Sequence, residues 1–150
     1  MARAVLDSSV LVSAFLTPAG TPATLLAHAR NGAFSIHLSS EILEETTRAL
    51  LRPRIMERYR HTANEVAEYR VFLAGVTAAV ESLPTLRAVP LDPKDDVIVA
   101  TAVKAGADYL VTGDRRHLVV LGAYGGIRIV TPRQFLDLLA GDEPGFLTRS

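Results

Sequence analysis

The order of apolar segments along this chain predicts a three-layer α/β domain in which helices cover a mostly parallel, five-stranded central sheet. Three observations carry that expectation. Short apolar runs alternate with helix-length apolar patterns, the arrangement of strand and crossover helix. Capping residues stand where the helical patterns begin, and glycines stand where they end. No repeat, low-complexity tract or Gly/Ser/Pro-rich linker divides the chain.

Taken in order, the strand candidates are residues 4–6, 34–38, 76–80, 109–111 and 127–130. Thr62 followed three residues later by Glu65 reads as a capping box. Asp92-Pro-Lys-Asp95 and Thr131-Pro-Arg-Gln134 each place a capping residue before a proline at the first helical position. Gly32, Gly75 and Gly106 follow helical patterns and are the expected stops. Val66, Tyr69, Phe72, Leu73 and Val76 recur at helical spacing, which predicts a helix running into the third strand. The GAYGG segment at 122–126 reads as a turn before the last strand.

With 150 residues, 49% of them hydrophobic, the chain has the material for one core. A single domain over residues 1–140 is expected, followed by a flexible tail, GDEPGFLTRS. The lack of cysteine excludes disulfides and thiolate zinc sites. No apolar run reaches a membrane span, and the start MARAVLDSSV lacks the features of a signal peptide, so a cytoplasmic protein is expected. The zero formal charge argues against a protein that coats nucleic acid by charge alone. Of the 16 basic residues only Lys94 and Lys104 are lysine, so phosphate contacts would be made mostly by planar guanidinium groups.

Four stretches place acids where chemistry gathers in a parallel sheet, at strand ends and the helix starts that follow. Asp7 directly follows the AVL run and Asp114 follows YLVTG. Asp95 is the third residue of its helix, and Glu45 lies about a turn and a half into the helix that begins near Ser39 or Ser40. Acids near helix starts also suit the macrodipole, so Asp92, Asp95 and Asp96 each have a purely structural reading. Glu41, Glu44 and Glu45 can equally form a solvated face paired with Arg48. Asp7 and Asp114 stand on placement, because a charge directly after a buried strand calls for a cation, hydrogen bonds or a function.

Four carboxylates close together repel unless positive charge intervenes. Mg²⁺ or Mn²⁺ is the natural counter-charge for such oxygen ligands, whereas His28, His37, His61 and His117 lack zinc-ligand spacing. One or two such ions can activate water and steady the leaving oxygen of a phosphodiester, which points to hydrolysis of nucleic acid.

The segments VLDSSVLVSAF, LSSEILEETTRALLRP, DPKDDVIVATAVKAGADYLVTGD and IVTPRQFLDLL resemble, in order and spacing, the successive motifs of the PIN-domain family. Within it the likeness is to VapC-like toxin components of bacterial toxin–antitoxin systems, and it extends from Val5 to about Leu139. The resemblance implies a PIN-like α/β/α fold and a Mg²⁺- or Mn²⁺-dependent endoribonuclease that uses a metal-activated water on RNA. It implies Asp7, Glu45, Asp95 and Asp114 as the catalytic acids, and metal bound by Asp7, Asp95 and Asp114 with Asp96 as a further ligand. It selects Asp95 over Asp96 because the family's acid stands seven residues before the alanine matched by Ala102. It also implies an antitoxin partner and a homodimer.

Ser9 stands where the family commonly has Asn; its hydroxyl is shorter than the amide but can still donate to a carboxylate or bound water. Thr112 matches a small hydroxyl position and is expected to orient Asp114 or a water. Arg48 and Arg52, three and seven residues after Glu45, are expected on its helical face, and Arg115 and Arg116 follow Asp114. All four can bind RNA phosphates, or else pair with nearby acids. Arg54, Arg58 and Arg60 read as a solvated face.

Two other classes compete. A receiver-like phosphoacceptor also places acids at strand ends, but it needs a lysine at a late strand end, and both lysines here lie on or beside one helix. A degenerate PIN module would bind without cleaving. Neither G-x-G-x-x-G nor G-x-x-x-x-G-K-[ST] occurs, which disfavours a nucleotide-binding enzyme.

Overall fold

The computed structural model describes residues 1–86, 93–113 and 118–141. The chain runs β1 (Arg3–Leu6), α1 (Ser8–Leu16), α2 (Thr21–Arg30), β2 (Ser35–Ser39), α3 (Ser40–Leu50), α4 (Pro53–Tyr59), α5 (Ala63–Val76), β3 (Ala78–Val80), α6 (Pro93–Ala105), β4 (Tyr109–Val111), α7 (Leu118–Leu121), β5 (Ala123–Tyr124), β6 (Ile127–Val130) and α8 (Pro132–Leu139). The sheet order is β3-β2-β1-β4-β6-β5. Every pairing is parallel except β5 with β6.

The central strand explains the layering. Ala4, Val5 and Leu6 of β1 are all fully buried, so both faces of the strand are covered, as a parallel sheet requires. On the flanks, α1 packs on α2 and α3, α2 meets α8, and α6 lies against β1, β2 and β4. Tyr69 ties α5 to α1 by donating its hydroxyl to the Leu11 carbonyl at 2.6 Å. Burial pushes that phenol above its ordinary pKa, so it remains a donor at neutral pH. Phe135 of α8, also fully buried, meets Phe34 edge-on at 4.9 Å and Tyr109 at 5.4 Å, fastening the last helix to the sheet.

Local signals explain most element ends. Thr62 with Glu65 and Thr131 with Gln134 form complete capping boxes. Gly32 and Gly106 adopt positive φ just beyond α2 and α6. Gly75 departs from expectation: it lies inside α5, which continues to Val76, and β3 begins only at Ala78. A glycine halts a helix only when the chain turns left-handed there, and α5 instead leaves through an extended Thr77. The GAYGG segment is also more than a turn. Gly125 and Gly126 both take positive φ, the requirement of a two-residue hairpin loop, so Ala123 and Tyr124 fold back as a sixth strand on β6.

No single helix among the described residues is long and apolar enough to cross a membrane, and the apolar pair α1 and α2 bends by 100° between its members. The expected cap Asp92 and all of the tail except Gly141 lie outside the described residues.

Two stability measurements follow. Phe135→Ala removes a ring from a closed aromatic cluster and should cost about 3–5 kcal/mol, read by denaturant unfolding. His37 on β2 has its pKa lowered by burial and by the Arg3 guanidinium, while its Nε2 lies 2.9 Å from the Ser35 hydroxyl. The unfolded chain therefore binds the proton more readily, so this contribution is present above the ordinary histidine value of 6.5 and is lost as pH falls below it. His37→Gln should flatten the pH dependence of unfolding in that window.

Candidate active site

The strand order reverses between β1 and its two neighbours: the chain first builds outward through β2 and β3, then returns to place β4 on the other side of β1. Such a switch point opens a crevice beyond the carboxyl ends of the strands. Asp7 stands at that point, one residue past β1, with its backbone N–H still bonded to the Val111 carbonyl at 3.0 Å.

Asp7 is only 4% exposed, and its surroundings compensate for burying a carboxylate. The Thr112 hydroxyl, one residue past β4, donates to Oδ2 at 2.6 Å. The Ser8 hydroxyl and the Ser9 backbone N–H both donate to Oδ1 at 3.2 Å. Asp7 thereby caps α1 as well. Thr112 thus orients Asp7, because β1 and β4 pair with Leu6 opposite Val111 and bring the two following residues side by side; the expected contact of Thr112 with Asp114 lies outside the described residues. The hydroxyl of Ser9 faces the same strand ends and accepts from the Gly113 N–H at 3.3 Å, tying α1 to the residue before Asp114.

A cavity of about 390 Å³ lies next to Asp7, lined also by Ser8, Glu41, Ile42, Glu44, Glu45, Arg48, Asp95, Val97 and Ile98. Asp95 enters from the first turn of α6, 7% exposed, with Oδ2 sealed from solvent. Glu45 reaches the cavity from α3 and pairs with Arg48 at 3.0 Å. Asp7, Glu45 and Asp95 therefore share one cavity although they come from three separate segments. Asp96, one residue along the helix, is half-buried but is not part of this lining. Arg52 is not on the helical face of Glu45: α3 ends at Leu50, and Arg52 caps α4. Asp114, Arg115 and Arg116 lie outside the described residues.

Two features of the site escape sequence reading. Ser8 and the acids Glu41 and Glu44 join the lining, a consequence of helix phase that a surface-face assignment hides. More telling is a buried hydroxyl pair, Ser39 Oγ and Thr101 Oγ1, 2.9 Å apart. The Thr101 proton goes to the Val97 carbonyl at 2.9 Å, so Ser39 donates to Thr101 and accepts from the Ile42 N–H at 3.4 Å. This chain joins the start of α3 to α6, fixing the helix of Glu45 against the helix of Asp95. Sixty-two residues separate the two hydroxyls, and no local signal links them.

The donor set of the cavity is chemically narrow. Among the described lining residues five carboxylates face one guanidinium, and none is a histidine. Among the described residues no three His, Cys, Asp or Glu side chains are grouped closely enough to hold one ion. A hard divalent cation fits this pattern, since Mg²⁺ binds through one or two carboxylates and keeps several waters.

Replacing Thr112 by Val keeps the shape but withdraws the 2.6 Å donor from a buried anion. Thr112→Val should cost about 1.5–3 kcal/mol in denaturant unfolding, more than a neutral surface hydrogen bond would.

A family model of the PIN domain matches residues 3–116 of the chain. No curated protein matches it. The matched span takes in β1 through β4, the strands that meet at the crevice, together with the helices that carry Glu45 and Asp95. PIN domains are generally nucleases that use divalent metal ions. The mostly parallel sheet, its acidic crevice at the switch point and the matching span together make this chain a member of the PIN-domain family.

Proposed function

We propose that the protein is a metal-dependent endoribonuclease, with Asp7, Glu45, Asp95 and Asp114 as its catalytic acids. The observation that carries this reading is the pair of nearly buried carboxylates, Asp7 and Asp95, on one cavity whose described lining holds five acids and one arginine. Asp7 and Asp95 would hold Mg²⁺ or Mn²⁺, with Asp114 as a further ligand and Asp96 beside it. Such an ion supplies Lewis-acid stabilisation of the phosphate and lowers the pKa of water. The protein's own part is orientation. Thr112, Ser8 and the Ser9 N–H hold the Asp7 carboxylate in one rotation, and the Ser39–Thr101 relay holds the α3 and α6 acids at a fixed separation. Arg48, beside Glu45 at the rim, would meet a phosphate of the incoming strand.

Lys104, the one lysine whose side chain is described, stands in the last turn of α6, about 13 Å along the helix from Asp95. A receiver-like chemistry would need a lysine at a strand end beside the acids. The likeness of four sequence segments to VapC-like toxins supports a role as the toxin of a toxin–antitoxin pair, inhibited by a protein antitoxin and acting as a homodimer in the cytoplasm. Co-expression with the protein encoded beside it, followed by co-purification, tests that role.

The nuclease reading is tested by cleavage of single-stranded RNA with Mg²⁺ or Mn²⁺ added, and with chelator. Asp7→Asn keeps a good capping residue at the start of α1, so the fold should stand. Asp7→Asn and Asp95→Asn should each slow cleavage by about 10²-fold or more, and chelator should abolish it. Cleavage that persists in chelator or in both variants would overturn the proposal.

A further inference from the structure

Beyond the acidic cavity the structure carries a second charged feature of opposite sign. Between Arg52 and Arg60 the chain holds four arginines, Arg52, Arg54, Arg58 and Arg60, against one acid, Glu57. This concentration occurs in a protein whose formal charge is zero. All four arginines are exposed, and none forms an ion pair with a described residue. Arg52, Arg54 and Arg58 line an open depression of about 790 Å³ on α4. No residue of α4 is buried, so the helix contributes little to the core.

Local structure holds the group in place. Arg52 caps α4 ahead of Pro53, whose fixed φ starts the helix. The Arg58 guanidinium lies 5.5 Å from the centre of the Tyr59 ring, which restrains it at little cost to its charge. Arg60 ends the helix at φ 57, a left-handed conformation that glycine or asparagine adopts with less strain. An arginine at such a position keeps a guanidinium at the helix terminus where the backbone would favour another residue.

The group is also continuous with the cavity. Glu41, Glu44, Glu45 and Arg48 of α3 line the cavity, and Arg52, four residues after Arg48 and just past the end of α3, caps α4. We infer that α4 is an accessory phosphate-binding surface for single-stranded RNA, which receives the strand beyond the cavity through Arg52, Arg54 and Arg58 and runs onto it past Arg48. The inference rests on the ribonuclease reading for the identity of the polyanion. An acidic protein is the competing occupant. RNA is favoured because a row of unpaired guanidinium groups offers bidentate contacts to successive phosphates, in line with a cavity suited to the same backbone.

Binding is measured by fluorescence anisotropy with Asp7→Asn, using a labelled single-stranded RNA of roughly 12 nucleotides over a range of salt. Adding Arg52→Gln, Arg54→Gln and Arg58→Gln should weaken binding at least about tenfold and make the slope of log affinity against log salt shallower by about 2. The matching Arg→Lys triple should keep most of the slope, and thermal unfolding should be unchanged in both. With Asp7 intact, the Gln triple should raise KM for the long RNA and leave kcat for a dinucleotide substrate unchanged. Unchanged affinity and slope in the Gln triple overturn the inference, as does loss of binding to an acidic partner protein with RNA binding intact. If wild-type protein binds RNA through these arginines but cleaves none with metal present, the nuclease reading fails while this surface stands. Absence of RNA binding by the wild type overturns both.

Discussion

A carboxylate buried between two parallel strand ends is the constraint from which the rest of the site follows. Asp7 can be buried because donors from two elements reach both its oxygens, and Thr112 provides the shortest of these contacts. That contact exists only while β4 pairs with β1 in the observed register and Thr112 holds its own backbone bond to the Val130 carbonyl, at 2.9 Å. A shift of one residue would turn the Thr112 side chain to the other face and leave the anion short of a donor. The crossover that inserts β4 beside β1, the cap of α1 and the orientation of the Asp7 carboxylate are therefore parts of one arrangement.

Around that anion the cavity accumulates negative charge that the described residues do not balance. Arg48 is engaged with Glu45 at the rim, and the inner wall is Asp7, Asp95 and apolar side chains. An apolar wall lowers the local dielectric and makes each charge weigh more, which suits a site that takes a cation together with a phosphate. Rigidity comes from the neutral side of the site. The buried Ser39–Thr101 pair satisfies its own polar atoms and joins the start of α3 to α6. Four of the 16 basic residues, Arg52, Arg54, Arg58 and Arg60, cluster on and beside α4, and three of them line a depression separate from the cavity.

The sequence was most legible where the signal is local. Capping boxes at Thr62 and Thr131, left-handed glycines at 32 and 106 and the run of buried residues in β1 each act over a few residues, and the elements fell where those signals stand. It was less legible where one residue has two uses. Gly75 is tolerated within a helix, Gly125 and Gly126 close a hairpin as readily as they end a loop, and Arg52 belongs to the next helix because Pro53 restarts the chain. For the site, the strand-end position of Asp7 was readable from the AVL run alone. The choice of Glu45 among three neighbouring glutamates rested on family pattern, and the cavity in fact takes in Glu41 and Glu44 as well.

By itself, then, the sequence determined the alternation of strands and helices, the places where helices begin, and the acid after the first strand, because each depends on neighbouring residues and on periodicity. Only the tertiary structure decided which hydroxyl serves Asp7, which helices share a hydroxyl relay, and that Asp7, Glu45 and Asp95 open on one cavity while Arg52 faces another. Those outcomes depend on pairings between residues 62 and 105 positions apart, set by sheet order and register, for which the chain carries no local mark.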